Sequence, residues 1–261
     1  MTHILVLHPG NMGAGLGASL VAAGHRVSWV PAGRSTETAE RAHRAGLRPW
    51  EPADRPDLVL SVVPPAHAQE TAASFGHAAD LYVDANAISP ATAAGVARVV
   101  EESGGTYVDG SIIGAPPDPG RARATRLYLS GDAADAAATL LSCGPELEIP
   151  VLPGDTFAAS SLKMAYASWT KISAALLLSA RAVADDLGVG DALDAEWRHS
   201  QPDLIARHES AVSSASGKAW RWVEEMRQIA ETFESTGSPG GFGTAAAQVF
   251  ERYPNLGVGP R

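Results

Sequence analysis

One cysteine, Cys143, occurs in 261 residues. An internal disulfide is therefore excluded, and the chain suits a reducing cytoplasm. Lysine is scarce and the formal net charge is −9, so the clustered cations whose counterion release drives nucleic-acid binding are missing. No run of like charge marks a tail. Long apolar runs are absent too. Residues 4–7 are too short for the core of a secretion signal and follow no cationic stretch, and "ISAALLLSARAVA" is too short and too polar at its edges to span a bilayer. The histidines are scattered, with no HExxH and no short His–Cys cluster, which argues against a metal site. Neither a G-x-S-x-G elbow nor a lysine after a glycine-rich loop occurs, which argues against a hydrolase nucleophile and a P-loop. The expectation is a soluble cytoplasmic protein acting on a small molecule, without nucleic-acid, membrane or metal partners.

What is present is alternation. Short apolar runs at 4–7, 27–30, 58–63, 81–83, 106–108, 126–129 and 148–151 read as strands. The early ones are continuous Val/Leu/Ile runs, as expected for parallel strands covered on both faces. Ala-rich segments at 13–23, 66–75, 90–102 and 133–141 between them read as helices. This order predicts a doubly wound α/β sheet.

The pattern changes near "LPGDTFAASSLKMAYASWTKISAALLLSARAVADDLGVG". Asp155 or Thr156 can cap a helix start, and Gly188 stands where that helix should stop. A helix over about 156–188 is on the order of 45 Å long. Its apolar residues lie nearly all round the axis, which predicts burial against more than one partner. Beyond Asp191 no strand is expected. "GKAWRWVEEMRQIAETFESTG" is the clearest helix there, and "TGSPGGFG" after it reads as a turn. The predicted organisation is a nucleotide domain over 1–153, then a long connecting helix and a small all-α domain over 154–261.

In "LHPGNMGAGLG" the loop after the first strand carries Gly10, Gly13 and Gly17. A full dinucleotide fingerprint has glycine two places before Gly10, where this chain has His8. Gly10 lets the backbone approach a pyrophosphate, and Gly13 lets the helix pack closely on the strand. The helix N-terminus supplies unpaired N–H groups. Strand before, helix after and a second strand following make this a Rossmann-type dinucleotide site; the alternative is a glycine-rich turn that binds no cofactor. NAD sites usually place an acid at the end of the second strand. Here that strand ends "SWVPAGRSTE" and offers Arg34, then Ser35, which suit a 2′-phosphate. NADP is expected over NAD, with a solvated loop arginine as the alternative.

"PGNMGAGLGASLVAAGHRV", "VLSVVPP", "YVDANAISPATA" and "YVDGSIIGAPP" stand in the order and spacing of the β-hydroxyacid dehydrogenase family. The chain resembles that family, which is similar in turn to 6-phosphogluconate dehydrogenase and the imine reductases. "SLKMAYASWTK" and "AWRWVEEMRQIAETF" resemble a 6-phosphogluconate-dehydrogenase-like branch with its own C-terminal helical domain. The resemblance implies that Gly10, Asn11, Met12 and Gly13 form the pyrophosphate and nicotinamide-side loop. It also implies that Val63 and Pro64 flank the nicotinamide, that Asn86 lies near its ribose, and that Lys163 is the catalytic lysine. Independently, Lys163 sits in an apolar helix where burial would lower its pKa and suit it to proton transfer. The alternative is a lysine snorkelling to solvent. Lys171 is a rival, but roughly 12 Å of helical rise separates the two.

Three departures from the family pattern bear on substrate. Its carboxylate-holding serine and paired glycines correspond to Ile113, Gly114 and Ala115, with Ser111 close in sequence but pointing elsewhere if the strand continues. Its asparagine one turn after the lysine is absent. Tyr166, at i+3, can substitute as a donor or serve as core packing. Its later Lys–Asp pair is replaced by Glu224–Glu225, an acidic pair that would repel an anionic substrate if it faced the site. Trp169, Trp197, Trp220 and Trp222 allow a larger apolar pocket, Trp169 foremost, although such residues are more often core. The expectation is an NADPH-dependent oxidoreductase acting on a carbonyl or hydroxyl compound, with an imine as the alternative. A non-catalytic NADP-binding sensor is the reading from another class. A homodimer is expected.

Overall fold

The computed structural model describes residues 1–253, the Lys218 side chain apart. Residues 254–261, assigned above to the helical domain, lie outside the described residues. Contacts divide the chain into two units, Met1–Lys163 and the residues from Met164 on.

The first unit runs β1 (His3–Val6), α1 (Asn11–Ala22), β2 (Arg26–Trp29), α2 (Thr36–Arg44), β3 (Arg48–Pro49), β4 (Leu58–Ser61), α3 (Ala68–Phe75), β5 (Leu81–Asp84), α4 (Pro90–Glu102), β6 (Thr106–Ile113), β7 (Thr125–Ser130), α5 (Ala134–Leu140) and β8 (Leu147–Glu148). One sheet has the order β3-β2-β1-β4-β5-β6-β7-β8. The first six of these strands are parallel, as expected of a doubly wound fold. The sheet departs from parallel pairing at its end. β7 pairs antiparallel to β6, and β8 runs with β7. The chain returns from β6 to β7 without a crossover helix, and only an antiparallel neighbour can be reached that way.

Strand period two sorts the core. Ile4 and Val6 pack with Leu16, Leu20 and Val27 on one face, while Leu5 and Leu7 pack with Val59, Tyr82 and Val96 on the other. Every residue of β1 is buried, which is why the strand reads as an unbroken apolar run. Each such buried Leu or Val contributes about 1.5–3 kcal/mol relative to exposure. Two elements went unforeseen. β3 is two residues long and includes Pro49, and α2 is polar except for its inner face. Cys143 donates to the Leu147 carbonyl at 3.3 Å, and burial pushes its thiol up to about 11, so it packs rather than reacts.

Helical residues then run on from α6 (Ala158–Ala167) through a π-helical segment (Ser168–Ile172) into α7 (Ser173–Asp186), ending before Gly188 at φ +72°. α8 (Gly190–Ser200), α9 (Asp203–Ser235) and α10 (Gly241–Glu251) follow. The prediction of all-round burial for the long helix is corrected. Leu176, Val183 and Leu187 are more than half exposed in the chain. "TGSPGGFG" is a turn only in its first half. Gly237 takes φ +78°, but Gly241 already opens α10.

Gly243 explains the glycine content of that helix. A Cβ there would lie 2.7 Å from the Met226 carbonyl oxygen and 2.9 Å from the Ala230 nitrogen, so α10 meets α9 backbone to backbone. Gly243→Ala is expected to cost about 1–3 kcal/mol. Thermal unfolding followed by circular dichroism checks this, and an unchanged midpoint contradicts it.

Candidate active site

The strand order reverses at β1 and β4, whose following segments leave the sheet on opposite faces. A crevice therefore opens at their carboxyl ends. On the β1 side, Gly10 is the N-cap of α1. No side chain caps this helix and its first turn holds no acid, so neither meets the first-turn N–H groups. A Cβ at Gly13 would lie 2.1 Å from the His8 carbonyl oxygen, and one at Gly10 would lie 3.1 Å from His8 Nε2. Asn11 exposes its side chain at the mouth of the loop, while Met12 packs against the core. A cradle that side chains would fill, fronting a bare helix N-terminus at the switch point, fits the pyrophosphate of a dinucleotide.

The β2 exit brings two cations to this loop. Gly33 takes φ +71° and Arg34 Nη2 donates to the Leu7 carbonyl at 3.4 Å. Arg41 Nη1 reaches the Pro9 carbonyl at 3.4 Å, and Arg41 also pairs with Glu37 at 2.6 Å. Ser35 is the N-cap of α2 and accepts from the Thr38 N–H at 3.3 Å. Sequence reasoning found Arg34 and missed Arg41, because it assigned no helix to "STETAERAHR". The capping serine and the Glu37–Arg41 spacing were the available signals.

On the β4 side, the Val63 N–H donates to Asn86 Oδ1 at 2.6 Å, and Asn86 Nδ2 donates to Ser61 Oγ at 3.2 Å. Asn86 is buried and ties the end of β4 to the end of β5, with Pro64 following directly at the crevice. The segment after β6 crosses α1, since a Cβ at Gly15 would meet Pro116 Cβ at 3.0 Å. Gly114 turns the chain there at φ +134° and is exposed. Ser111 and Ile113 are buried within the strand, and Ser111 Oγ has no hydrogen-bond partner among the described residues.

Lys163 is half-buried on α6, and its Nζ donates to the Ile112 carbonyl at 2.9 Å, at the carboxyl end of β6. Beneath it lies a carboxyl pair that sequence reasoning passed over. The tripeptide Tyr-Val-Asp occurs in both "YVDANAISPATA" and "YVDGSIIGAPP", and the two copies stand in register, Tyr82 beside Tyr107 and Asp84 beside Asp109. Asp109 accepts from Ser160 N at 2.8 Å, Ser160 Oγ at 2.5 Å and Tyr107 Oη at 3.4 Å. The Ser130 hydroxyl shares its proton between Asp109 at 3.1 Å and the Thr156 carbonyl at 2.9 Å. Burial lifts Asp109 to about 6 against these donors. Asp84 accepts from Asn86 N at 3.0 Å, and its Oδ2 has no partner among the described residues. Burial raises it to about 7, with the nearby Asp109 charge adding to the rise. Burial and the same charges raise both tyrosines well above their ordinary value.

Tyr166 is about half exposed rather than core, and Trp169 is 72% exposed on the π-helical segment. Trp169, Lys171, Trp197, Leu204, Arg207 and Trp222 line a cavity of about 840 Å³. Lys171 lies 3.1 Å from Glu225 and 4.6 Å over the Trp222 ring. Glu224 lies 3.3 Å from Arg227. The acidic pair is thus compensated, and the repulsion expected of it is corrected. Lys171, the rival to Lys163, is engaged in that ion pair.

Residues 184–253 match the family described as a domain of unknown function, DUF1932. An uncharacterised 28.5 kDa protein of Methanothermus fervidus is 31% identical over 166 residues, and the match spans 62% of each chain. The solved structure of the conserved protein MTH1747, of unknown function and described as similar to 3-hydroxyacid dehydrogenases, is 27% identical with TM-score 0.71, covering 96% of both chains. The 3-hydroxyisobutyrate dehydrogenase of Mycobacterium tuberculosis, solved with L-serine, shares the fold at 21% identity and TM-score 0.71, covering 97% of this chain and 94% of that one.

The signs of the two aspartate shifts set a pH dependence. A carboxyl whose folded pKa is raised stabilises the fold below its unfolded value near 3.8, and that contribution is lost as pH rises through about 6 for Asp109 and about 7 for Asp84. Asp84→Asn keeps the acceptor for Asn86 N and removes the charge. It is expected to raise the melting temperature clearly at about pH 8 and much less at about pH 5. Equal shifts at the two pH values would contradict a charge effect.

Proposed function

We propose that the chain is a 3-hydroxyacid-dehydrogenase-like protein, as its 27% identity to a structure described as similar to 3-hydroxyacid dehydrogenases supports, and that it is an NADPH-dependent oxidoreductase acting on a small carbonyl or hydroxyl compound. What carries the assignment is a shared edge. The Gly10–Gly13 cradle and the Lys163 ammonium both stand at the carboxyl ends of the parallel strands of one sheet. Gly10, Asn11, Met12 and Gly13 would hold the pyrophosphate, with Arg34, Ser35 and Arg41 at the 2′-phosphate. Val63 and Pro64 would flank the nicotinamide and Asn86 would order its ribose side through Val63. Bound there, NADPH supplies hydride to an electrophilic carbon. Lys163 gives the proton to the oxygen that gains charge, and takes it back in the reverse direction. Ser111, Ile113 and Gly114 contribute to substrate recognition in this reading.

An imine substrate is the second reading. It is favoured by the β6 exit, where Ile113, Gly114 and Ala115 offer no hydroxyl to hold a carboxylate. The cytoplasm is the proposed setting. A homodimer is the proposed assembly, since Leu176, Val183 and Leu187 leave an apolar face of α7 open in the single chain.

Fluorescence titration with NADPH and NADH tests the cofactor. A preference of about tenfold or more for NADPH, worth about 1.4 kcal/mol, is expected, and Arg34→Ala should abolish most of it. Equal affinities remove Arg34 and Arg41 from the site. In a panel of aldehydes, ketones and cyclic imines, Lys163→Ala is expected to abolish turnover while NADPH affinity stays near wild type. Unaltered turnover overturns the role of Lys163. Cofactor binding without turnover by the wild-type protein favours the sensor.

A further inference from the structure

We propose that Asp109 is the positioning residue of Lys163. Its buried carboxylate holds the first turn of α6 against β6 and so sets where the ammonium stands. The inference rests on the catalytic reading of Lys163 given above.

Two contacts join β6 to α6, and they are offset by the same three residues on each element. Asp109 takes Ser160, and Ile112 takes Lys163. On a helix, residues three apart share a face and advance about 4.5 Å along the axis. On a strand, three residues advance about 10 Å. The flexible stem of Lys163 spans the difference, so the position of its ammonium is decided by where the helix begins.

Asp155 Oδ1 accepts from the Phe157 N–H at 2.8 Å and the Asp155 carbonyl from the Ala158 N–H at 3.1 Å, so the local cap stops short of Ser160. Ala158 follows Phe157, which has no side-chain acceptor, and Ser160 N is one of the first N–H groups that no helical carbonyl can reach. Asp109 supplies the acceptor from the sheet, across 51 residues of sequence. An anion at a helix N-terminus is also favoured by the helix dipole. Ser130 extends the clamp by accepting from Ala159 N at 2.9 Å.

The neighbouring acid makes this selective. The Asp109 carboxylate accepts hydrogen bonds from Ser160 twice, from Ser130 and from Tyr107. Asp84, on the adjacent strand, receives Asn86 N. Two carboxylates side by side in a buried sheet favour a single charge, and the donors place it on Asp109. Tyr82 and Tyr107 are the other titratable groups of this cluster, and burial keeps both neutral.

Lys163 is one of three lysines in the chain, with Lys171 and Lys218, so its reactivity can be read peptide by peptide. The experiment is timed acetylation of the full-length protein by acetic anhydride across a pH series, with mass spectrometry of each lysine. It is run on wild type, Asp109→Asn, Ser160→Ala and Ser160→Thr, beside kcat and KM for the best substrate of the panel. Asp109→Asn turns an amide donor toward donors. It should change the rate and pH profile of Lys163 acetylation while leaving Lys171 as in wild type, and lower kcat by about tenfold to hundredfold with NADPH affinity unchanged. Ser160→Ala should move both readouts the same way and less far, and Ser160→Thr should restore them. Lys163 acetylation unchanged in folded Asp109→Asn overturns the proposal, as does an equal change at Lys171, which reports general loosening. Should Asp109→Asn fail to fold, Ser160→Ala and Ser160→Thr decide by the same criteria. If wild type reduces nothing in the panel, the functional reading fails, and acetylation still decides the placement of Lys163.

Discussion

The contact between Gly13 and the His8 carbonyl is the constraint from which the rest of the first unit follows. A methyl group at that position would sit 2.1 Å from the oxygen. Its absence lets α1 begin immediately beyond β1, with its N-terminus over the sheet edge instead of pushed away from it. From there α1 covers one face through Leu16 and Leu20. The parallel strands that follow bring each later loop to the same edge. Position in the chain is scattered, from Gly10 to Lys163, yet direction in the sheet brings these residues to one edge.

Electrostatics at that edge is asymmetric. The cradle side is cationic and exposed, with two guanidinium groups touching loop carbonyls. The β5–β6 side is acidic and buried, with Asp84 and Asp109 in register beneath the helix that bears Lys163. Exposed cations attract an anionic cofactor at small cost. A buried carboxylate is tolerated only with donors around it, and Asp109 has gathered them from β6, β7 and α6. The same burial that raises its pKa makes the cluster a fixed point in the fold, since a charge left without those donors would be expensive.

The second unit obeys a different rule. Its described residues form no sheet, and glycine packs on backbone between α9 and α10. Its one strongly buried acid, Glu225, is matched by Lys171 and lies beside the Trp222 ring. Leu176 and Val183 remain exposed on α7.

Much of this was legible in order. Continuous apolar runs announced strands covered on both faces, and the Ala-rich segment 90–102 was foreseen as a helix at the bounds α4 takes. The glycine spacing located the cradle before any coordinates, since a backbone approach this close can be made by glycine alone. Composition and period determined that much, because local geometry and burial on two faces are written into neighbouring residues. The tertiary structure decided the rest. Arg41 joined Arg34 only because α2 folds beside the β1 exit. The two Tyr-Val-Asp copies became a carboxyl pair only when β5 and β6 aligned in register, and Ser160 met Asp109 from 51 residues away. Which charge is compensated, as Glu225 is by Lys171, depends on partners distant in sequence, and no local pattern records them.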